Sequence, residues 1–166
     1  MIELEVVGIT RRPMTEEERQ RMRDQVILPP GQPPPAPGAV VVDAGDEPRW
    51  IHEVRLKERD GDRVLVIGIG DAEALAIQVG LHGIEVPRPM THDFIGNLLY
   101  AFDDVAVRRM VITKLVSDTF HARLEVQHRD RLLDVDCRPS DGVALAIRLG
   151  VPIVAADEME PVLAAA

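Results

Sequence analysis

Two short stretches gather the residue types that act on anions. Arg88-Pro89-Met90-Thr91-His92-Asp93 places a guanidinium, an imidazole and a carboxylate within six residues, and Arg138-Pro139-Ser140-Asp141 adds a second arginine with a hydroxyl and a carboxylate. Proline disfavours the α region for the residue before it, so each arginine should stand extended where the chain turns into a helix. Thr91 is the expected N-cap of the first helix, and Ser140 or Asp141 of the second. Helix starts expose N–H groups and a partial positive charge, which suits phosphate. Glu73 joins the candidates from the first turn of an apolar helix. A carboxylate there gains from the helix dipole, so stability alone would also account for it. His92 and Asp93 can hold and activate a water, or bind a metal ion. Neighbouring helix residues diverge, so one ion would need a further ligand from another element. Asp134 and Asp136 share one strand face, which fits either a divalent cation or plain solvent exposure. The blander alternative for both arginine motifs is a well-capped helix with a structural arginine.

Several elements must position these residues. Ile2 to Ile9 alternates as a strand, and Thr15-Glu16-Glu17-Glu18 has capping-box form, opening a polar helix to about Ile27. A polyproline-type linker follows from Pro29 to Gly38, then a short possible strand at Ala39 to Asp43. Residues 10–49 therefore read as an insertion, and residues 1–9 with 50–166 as the main domain. From Trp50 the chain repeats itself. Asp71-Ala72-Glu73-Ala74-Leu75-Ala76-Ile77-Gln78-Val79-Gly80 aligns without a gap on Asp141-Gly142-Val143-Ala144-Leu145-Ala146-Ile147-Arg148-Leu149-Gly150. Val143 faces Glu73 in that alignment, so the fold does not itself demand a carboxylate at 73. Strands Trp50 to Glu58 and Arg63 to Ile69 correspond to Phe120 to His128 and Leu133 to Pro139, so each unit reads as a hairpin followed by a buried helix ended by glycine. Between the units, Phe94, Ile95, Leu98, Leu99 and Phe102 recur at helical spacing and define an expected core face. A strand from Val105 to Val116, a turn at Ser117-Asp118-Thr119, a strand from Val151 to Ala155 and a last helix capped by Asp157 complete the order. That order predicts an α+β domain: duplicated hairpin–helix units forming a mixed sheet with helices packed on it.

Composition narrows the function. The 166 residues are 46% hydrophobic but only 3% aromatic, which argues against base-stacking platforms. The formal charge of −9 argues against a DNA-coating role, while a local basic site remains compatible with it. Lysine occurs only at 57 and 114, so the cationic chemistry is that of arginine, which grips phosphate with two donors at once. The single Cys137 excludes an internal disulfide and a cysteine-based zinc cluster. No nucleophile elbow, P-loop or dinucleotide fingerprint is present, so no organic cofactor is expected. Met1 leads straight into a strand pattern and no apolar run is long enough for a membrane, which predicts a soluble cytoplasmic protein.

Gly70-Asp71-Ala72-Glu73-Ala74, Pro87-Arg88-Pro89-Met90-Thr91-His92-Asp93 and Asp136-Cys137-Arg138-Pro139-Ser140-Asp141 resemble, in that order, the bifunctional nuclease domain family. The resemblance covers Met1 to Ile9 and about Ile51 to Ala156. It implies DNase and RNase activity in a compact α+β fold that tends to form homodimers. Carried over by motif, the polar positions are Glu73, Arg88, Thr91, His92, Asp93, Arg138, Ser140 and Asp141. Arg88, Arg138, Ser140 and Thr91 would hold the phosphate of a nucleic-acid substrate. Asp93 and Glu73, with Asp141, would hold Mg2+ or Mn2+, and His92 would move the proton. The chain departs from the family in its 10–49 insertion and in having Ile69 where a tryptophan usually precedes the glycine, which reshapes the surroundings of Glu73. The alternative from a different class is a non-catalytic dimeric regulator or small-anion sensor using the same arginines, favoured by the acidic charge.

Overall fold

The computed structural model describes residues 1–24 and 50–165. The polyproline linker and the Ala39 to Asp43 strand lie outside the described residues. The chain divides into two compact units, Met1–Thr10 with His52–Ala166, and Arg11–Ile51. In order, the elements are β1 (Ile2–Pro13), α1 (Glu16–Asp24), β2 (Trp50–Glu58), β3 (Arg63–Ile69), α2 (Asp71–Leu81), α3 (Thr91–Tyr100), β4 (Val105–Val116), β5 (Thr119–His128), β6 (Arg131–Cys137), α4 (Pro139–Leu149), β7 (Ile153–Ala155), a 3-10 helix (Asp157–Val162) and β8 (Ala164–Ala165).

The strands form one mixed sheet in the order β6-β5-β4-β7-β1-β2-β3-β8. The β4–β7 pair is parallel, and β1–β7, β2–β3, β3–β8, β4–β5 and β5–β6 are antiparallel. The β4–β5 hairpin turns through Ser117 and Asp118, both left-handed at φ 47° and 61°, the twist that suits a tight hairpin. Hairpin followed by helix occurs twice, as β2-β3-α2 and β5-β6-α4, at opposite ends of the sheet. Val54, Leu56, Leu65 and Ile67 of the first hairpin and Ala122, Leu124 and Val126 of β5 meet Ala74, Ile77, Val143, Ala144 and Ala146 of α2 and α4 in one core. The alanines keep helix α2 close to helix α4. Leu56, Leu65, Ile77, Met110 and Ile112 are fully buried. Each contributes on the order of 1.5–3 kcal/mol of transfer free energy.

In the smaller unit, α1 is capped at its start. Glu18 N–H donates to Thr15 Oγ1 at 3.2 Å, and Thr15 N–H donates to Glu18 at 2.8 Å. This is the capping box expected from the sequence. Hydrogen bonds from Arg12 hold the Glu18 carboxyl down at about 2.

Four local expectations need correction. Strand β1 does not stop at Ile9 but runs on to Pro13. Asp157 caps no α-helix; Ala156 precedes a 3-10 helix containing Pro161, after which Ala164 and Ala165 pair with β3. Gly80 does not end α2, which continues to Leu81, whereas Gly150 does end α4 in the left-handed conformation at φ 66°. The inward face of α3 is His92, Ile95, Gly96 and Leu99, not the aromatic stripe; Phe94, Leu98 and Phe102 are exposed. Gly96 lies on this inward side. A Cβ on Gly96 would lie 3.6 Å from Leu149, so the bare side of α3 faces α4.

Candidate functional site

The start of α4 is built differently from the expectation. Neither Ser140 nor Asp141 is its N-cap. Arg138 holds that place, extended at φ −68°, ψ 145°, with Pro139 at the first helical position. Proline's missing N–H would be unpaired there anyway, and it fixes Arg138 in the extended region. Ser140 turns inward and is buried. Asp141, one residue on, stays at the surface and meets its own N-cap.

Four of the eight candidates form one chain of contacts. Arg138 Nη1 lies 2.9 Å from Glu73 Oε1 in the first turn of α2. Arg138 Nε donates to Asp141 Oδ2 at 2.7 Å, and Nη2 donates to Oδ1 at 3.0 Å. Asp141 Oδ1 also lies 3.2 Å from His92 Nε2 of α3. Exposure falls from Arg138 at 64% through Asp141 at 33% to His92 at 11%, with Glu73 at 21% on the other side of the guanidinium. The hydrogen bond from Arg138, helped by that from His92, holds the Asp141 carboxyl below its usual range against the opposing effect of burial. Asp141 first, and Glu73 second, raise the Arg138 guanidinium further above its ordinary value. The arrangement is an exposed guanidinium held by two carboxylates, one of them backed by a buried imidazole. The Nη1–Nη2 edge of such a guanidinium matches a phosphodiester oxygen pair, for which the Glu73 carboxylate must give way.

The other four candidates stand apart from this chain. Arg88 is exposed and has no partner among the described residues. Thr91 is exposed and is the first residue of α3, whose N-cap is Met90, so it does not cap the helix. Ser140 is buried. Asp93 closes the N-terminus instead of Thr91: its Oδ2 accepts the Met90 N–H at 2.8 Å. Its Oδ1 accepts a hydrogen bond from Arg148 Nε. Burial pushes the Asp93 carboxyl up, but Arg148 and the Met90 N–H outweigh it and hold it below the usual range.

Arg148 was not among the sequence candidates. Its side chain is only 9% exposed. Beyond Asp93, its Nη1 donates to the carbonyls of Ala76 on α2 and Ala144 on α4, each at 2.9 Å. Gly80 makes the room: a Cβ there would stand 2.8 Å from Nη1. The signal in the sequence is faint. Arg148 lies seven residues after Asp141 and three after buried Leu145, hence on the packed side of α4, but a basic residue in a last turn reads first as a dipole complement.

The donor set bears on the expected ion. Glu73 and Asp93 are each taken by an arginine, and not by the same one. Among the described residues no three His, Cys, Asp or Glu side chains group as a metal site. As arranged, Asp93 and Glu73 do not fit a resident Mg2+ or Mn2+. On β6, Asp134 is bound to Arg123 at 3.0 Å and borders a surface depression of about 410 Å3 that shares no residue with the Arg138 chain. Burial pushes the Cys137 thiol up to about 11, which leaves it protonated and unreactive at neutral pH. No helix among the described residues is long and apolar enough to cross a membrane.

Comparison with known proteins places this chain in a family. An uncharacterized protein of Mycobacterium tuberculosis, recorded alike in two strains, is 46% identical over 98 residues, covering 59% of this chain and 57% of that protein. Bifunctional nuclease 1 of Oryza sativa subsp. japonica is 29% identical over 106 residues, covering 61% of this chain and 32% of the rice protein. The chain thus spans a little over half the length of the mycobacterial relatives and a third of the rice one. The family model of the bifunctional nuclease domain matches residues 54–164. These residues hold every member of the Arg138 chain of contacts, and the match takes in well over half the sequence: the protein belongs to the bifunctional nuclease domain family.

Proposed function

We propose that the protein hydrolyses phosphodiester bonds of RNA or DNA at the Arg138 cluster. The observation that carries this reading is the exposed Arg138 fork held between Glu73 and Asp141, with His92 behind Asp141. A phosphodiester entering the fork displaces Glu73 from the guanidinium. The freed carboxylate then takes the proton of the attacking water. The water oxygen bonds to phosphorus, the ester P–O bond breaks, and the departing oxygen takes a proton from solvent. Arg138 stabilises the charge on the phosphoryl oxygens throughout, and His92 keeps Asp141 oriented on Arg138. The acidic surface favours short single-stranded substrates over long duplexes, whose phosphate density it repels.

The test uses purified protein with single-stranded RNA and DNA oligonucleotides, in Mg2+, in Mn2+ and in chelator. Arg138→Ala should lose both cleavage and phosphate binding. Glu73→Gln should lose cleavage but keep phosphate binding. His92→Ala is the further control against contaminating nucleases. If wild-type protein binds phosphate through Arg138 yet cleaves nothing under any condition, the anion-sensing reading replaces this one. The want of a three-ligand metal group among the described residues is the observation that keeps that second reading in play.

A further inference from the structure

We infer that Arg148 is a positioning residue for His92, and that its buried pair with Asp93 sets the geometry of the site. The inference rests on the nuclease reading only for its effect on turnover; its structural claim stands without it. Seven residues separate Asp141 from Arg148. On a helix that is close to two whole turns, so both side chains leave α4 on the same side, about 10 Å apart along its axis. Helix α3 meets both. Its first turn sends His92 to Asp141 and the adjacent Asp93 to Arg148. Two polar contacts, from adjacent residues of α3 to residues two turns apart on α4, fix both the rotation and the sliding of α3 against α4, which one contact would not do.

The apolar contacts do not supply this precision. Inward-facing α3 offers only Ile95 and Leu99 beside His92 and Gly96, while Phe94, Leu98 and Phe102 are exposed. Rotating α3 outward by one residue would bury an aromatic and swing His92 away from Asp141. The pair with Arg148 opposes that rotation. Arg148 is itself held in place, because Nη1 is spent on carbonyls of both α2 and α4 where it lies over the bare Gly80. Glu73 also lies on α2, so the same guanidinium ties together the three helices that carry Glu73, His92 and Asp141.

The experiment reads the imidazole directly. Long-range 1H–15N spectra of His92 are recorded for wild-type protein and for Asp141→Asn, which identifies the signature of the Nε2 contact. The spectra are then taken for Arg148→Met, Arg148→Lys and Asp93→Asn, each checked for a cooperative thermal transition. Loss of the Nε2 signature in folded Arg148→Met and Asp93→Asn, with partial return in Arg148→Lys, is the expected result. Lysine keeps the charge but cannot reach Asp93 and two carbonyls with one planar fork. Turnover on an oligonucleotide should fall about 100-fold in Arg148→Met, the scale of an ångström-sized misplacement, with KM changed less than about threefold. An unchanged His92 signature in either folded variant overturns the inference. Should Arg148→Met not fold, Asp93→Asn decides alone, since it keeps the side-chain shape. Absence of cleavage by wild-type protein sinks the nuclease reading and leaves the spectra to judge Arg148.

Discussion

Residues 71–80 of α2 align without a gap on residues 141–150 of α4 and its C-cap, yet matched positions do different work. Gly150 ends α4 in a left-handed conformation, with the Val151 N–H closing onto Ala146 O at 3.1 Å. Its match, Gly80, lies inside α2 and serves as a slot for Arg148. Val143 is fully buried, while its match Glu73 reaches outward to Arg138. Arg148 joins three helices, while its match Gln78 has no side-chain partner among the described residues and stands half-buried. A shared sequence pattern therefore does not settle what a side chain does; the neighbouring helix decides that.

The largest effect should separate Arg148 from Gln78. Arg148→Met leaves the Asp93 carboxylate in place without its partner, and the loss should be about 3 kcal/mol. Gln78→Met should stay within about 0.5 kcal/mol, as surface changes do. Urea titrations of the two variants measure both, and equal losses would erase the contrast.

The glycines come next. Gly80→Ala forces a Cβ against the Arg148 guanidinium and should cost about 2 kcal/mol. Gly150→Ala strains the backbone and should cost about 1–2 kcal/mol. The costs diverge in an Arg148→Met background. There the Gly80 substitution should become cheaper, because the obstructing group is gone, and the Gly150 substitution should not change. A double-mutant cycle reads this coupling.

At the third matched pair the readouts differ in kind. Val143→Ala opens a core cavity and should cost about 2 kcal/mol with phosphate binding intact. Glu73→Gln should cost under about 1 kcal/mol and should tighten phosphate binding, because Arg138 loses a competing carboxylate. Isothermal titration with phosphate separates them, and weaker binding by Glu73→Gln would contradict the displacement step.

The smallest effect is on pH. Asp141 and Asp93 both have folded pKa values below their ordinary ones. Their stabilisation is therefore complete above the ordinary carboxylate range and fades as pH falls through the lowered folded values. Asp93→Asn should flatten the acid limb of the stability curve measured from pH 6 downward. A limb as steep as in the wild type would show that Asp93 is not lowered.

Local patterning was enough for much of the fold. Trp50–Glu58, Arg63–Ile69 and Val105–Val116 have the bounds read from alternation and turn residues, because a strand's period is visible within its own length. Glu73, His92, Arg138 and Asp141 were legible by type, since each stands near a helix start. The rotation of α3 was not. Counting apolar residues favoured Phe94, Leu98 and Phe102, and nothing local says that Gly96 is where the neighbouring helix comes close. Arg148 and Asp93 are 55 residues apart, and their pairing exists only after α3 has docked on α4. That is also why Asp93 was read as a candidate ligand: a carboxylate's partner cannot be seen from its neighbours in sequence.

Strand β7 has a consequence for the order of events during synthesis. It is only three residues long, yet it stands between β4 on one side and β1 on the other. Through it Ile2 pairs with Ala155, bringing the first strand against one of the last. The β2–β3 and β4–β5–β6 hairpins can form as they leave the ribosome, since their partners are close in sequence. The two halves of the sheet gain their hydrogen-bonded link only when residues 153–155 emerge. Until then β1 and β4 each offer an open edge to other chains, so a nascent chain stalled before Ile153 is the species most in need of a chaperone.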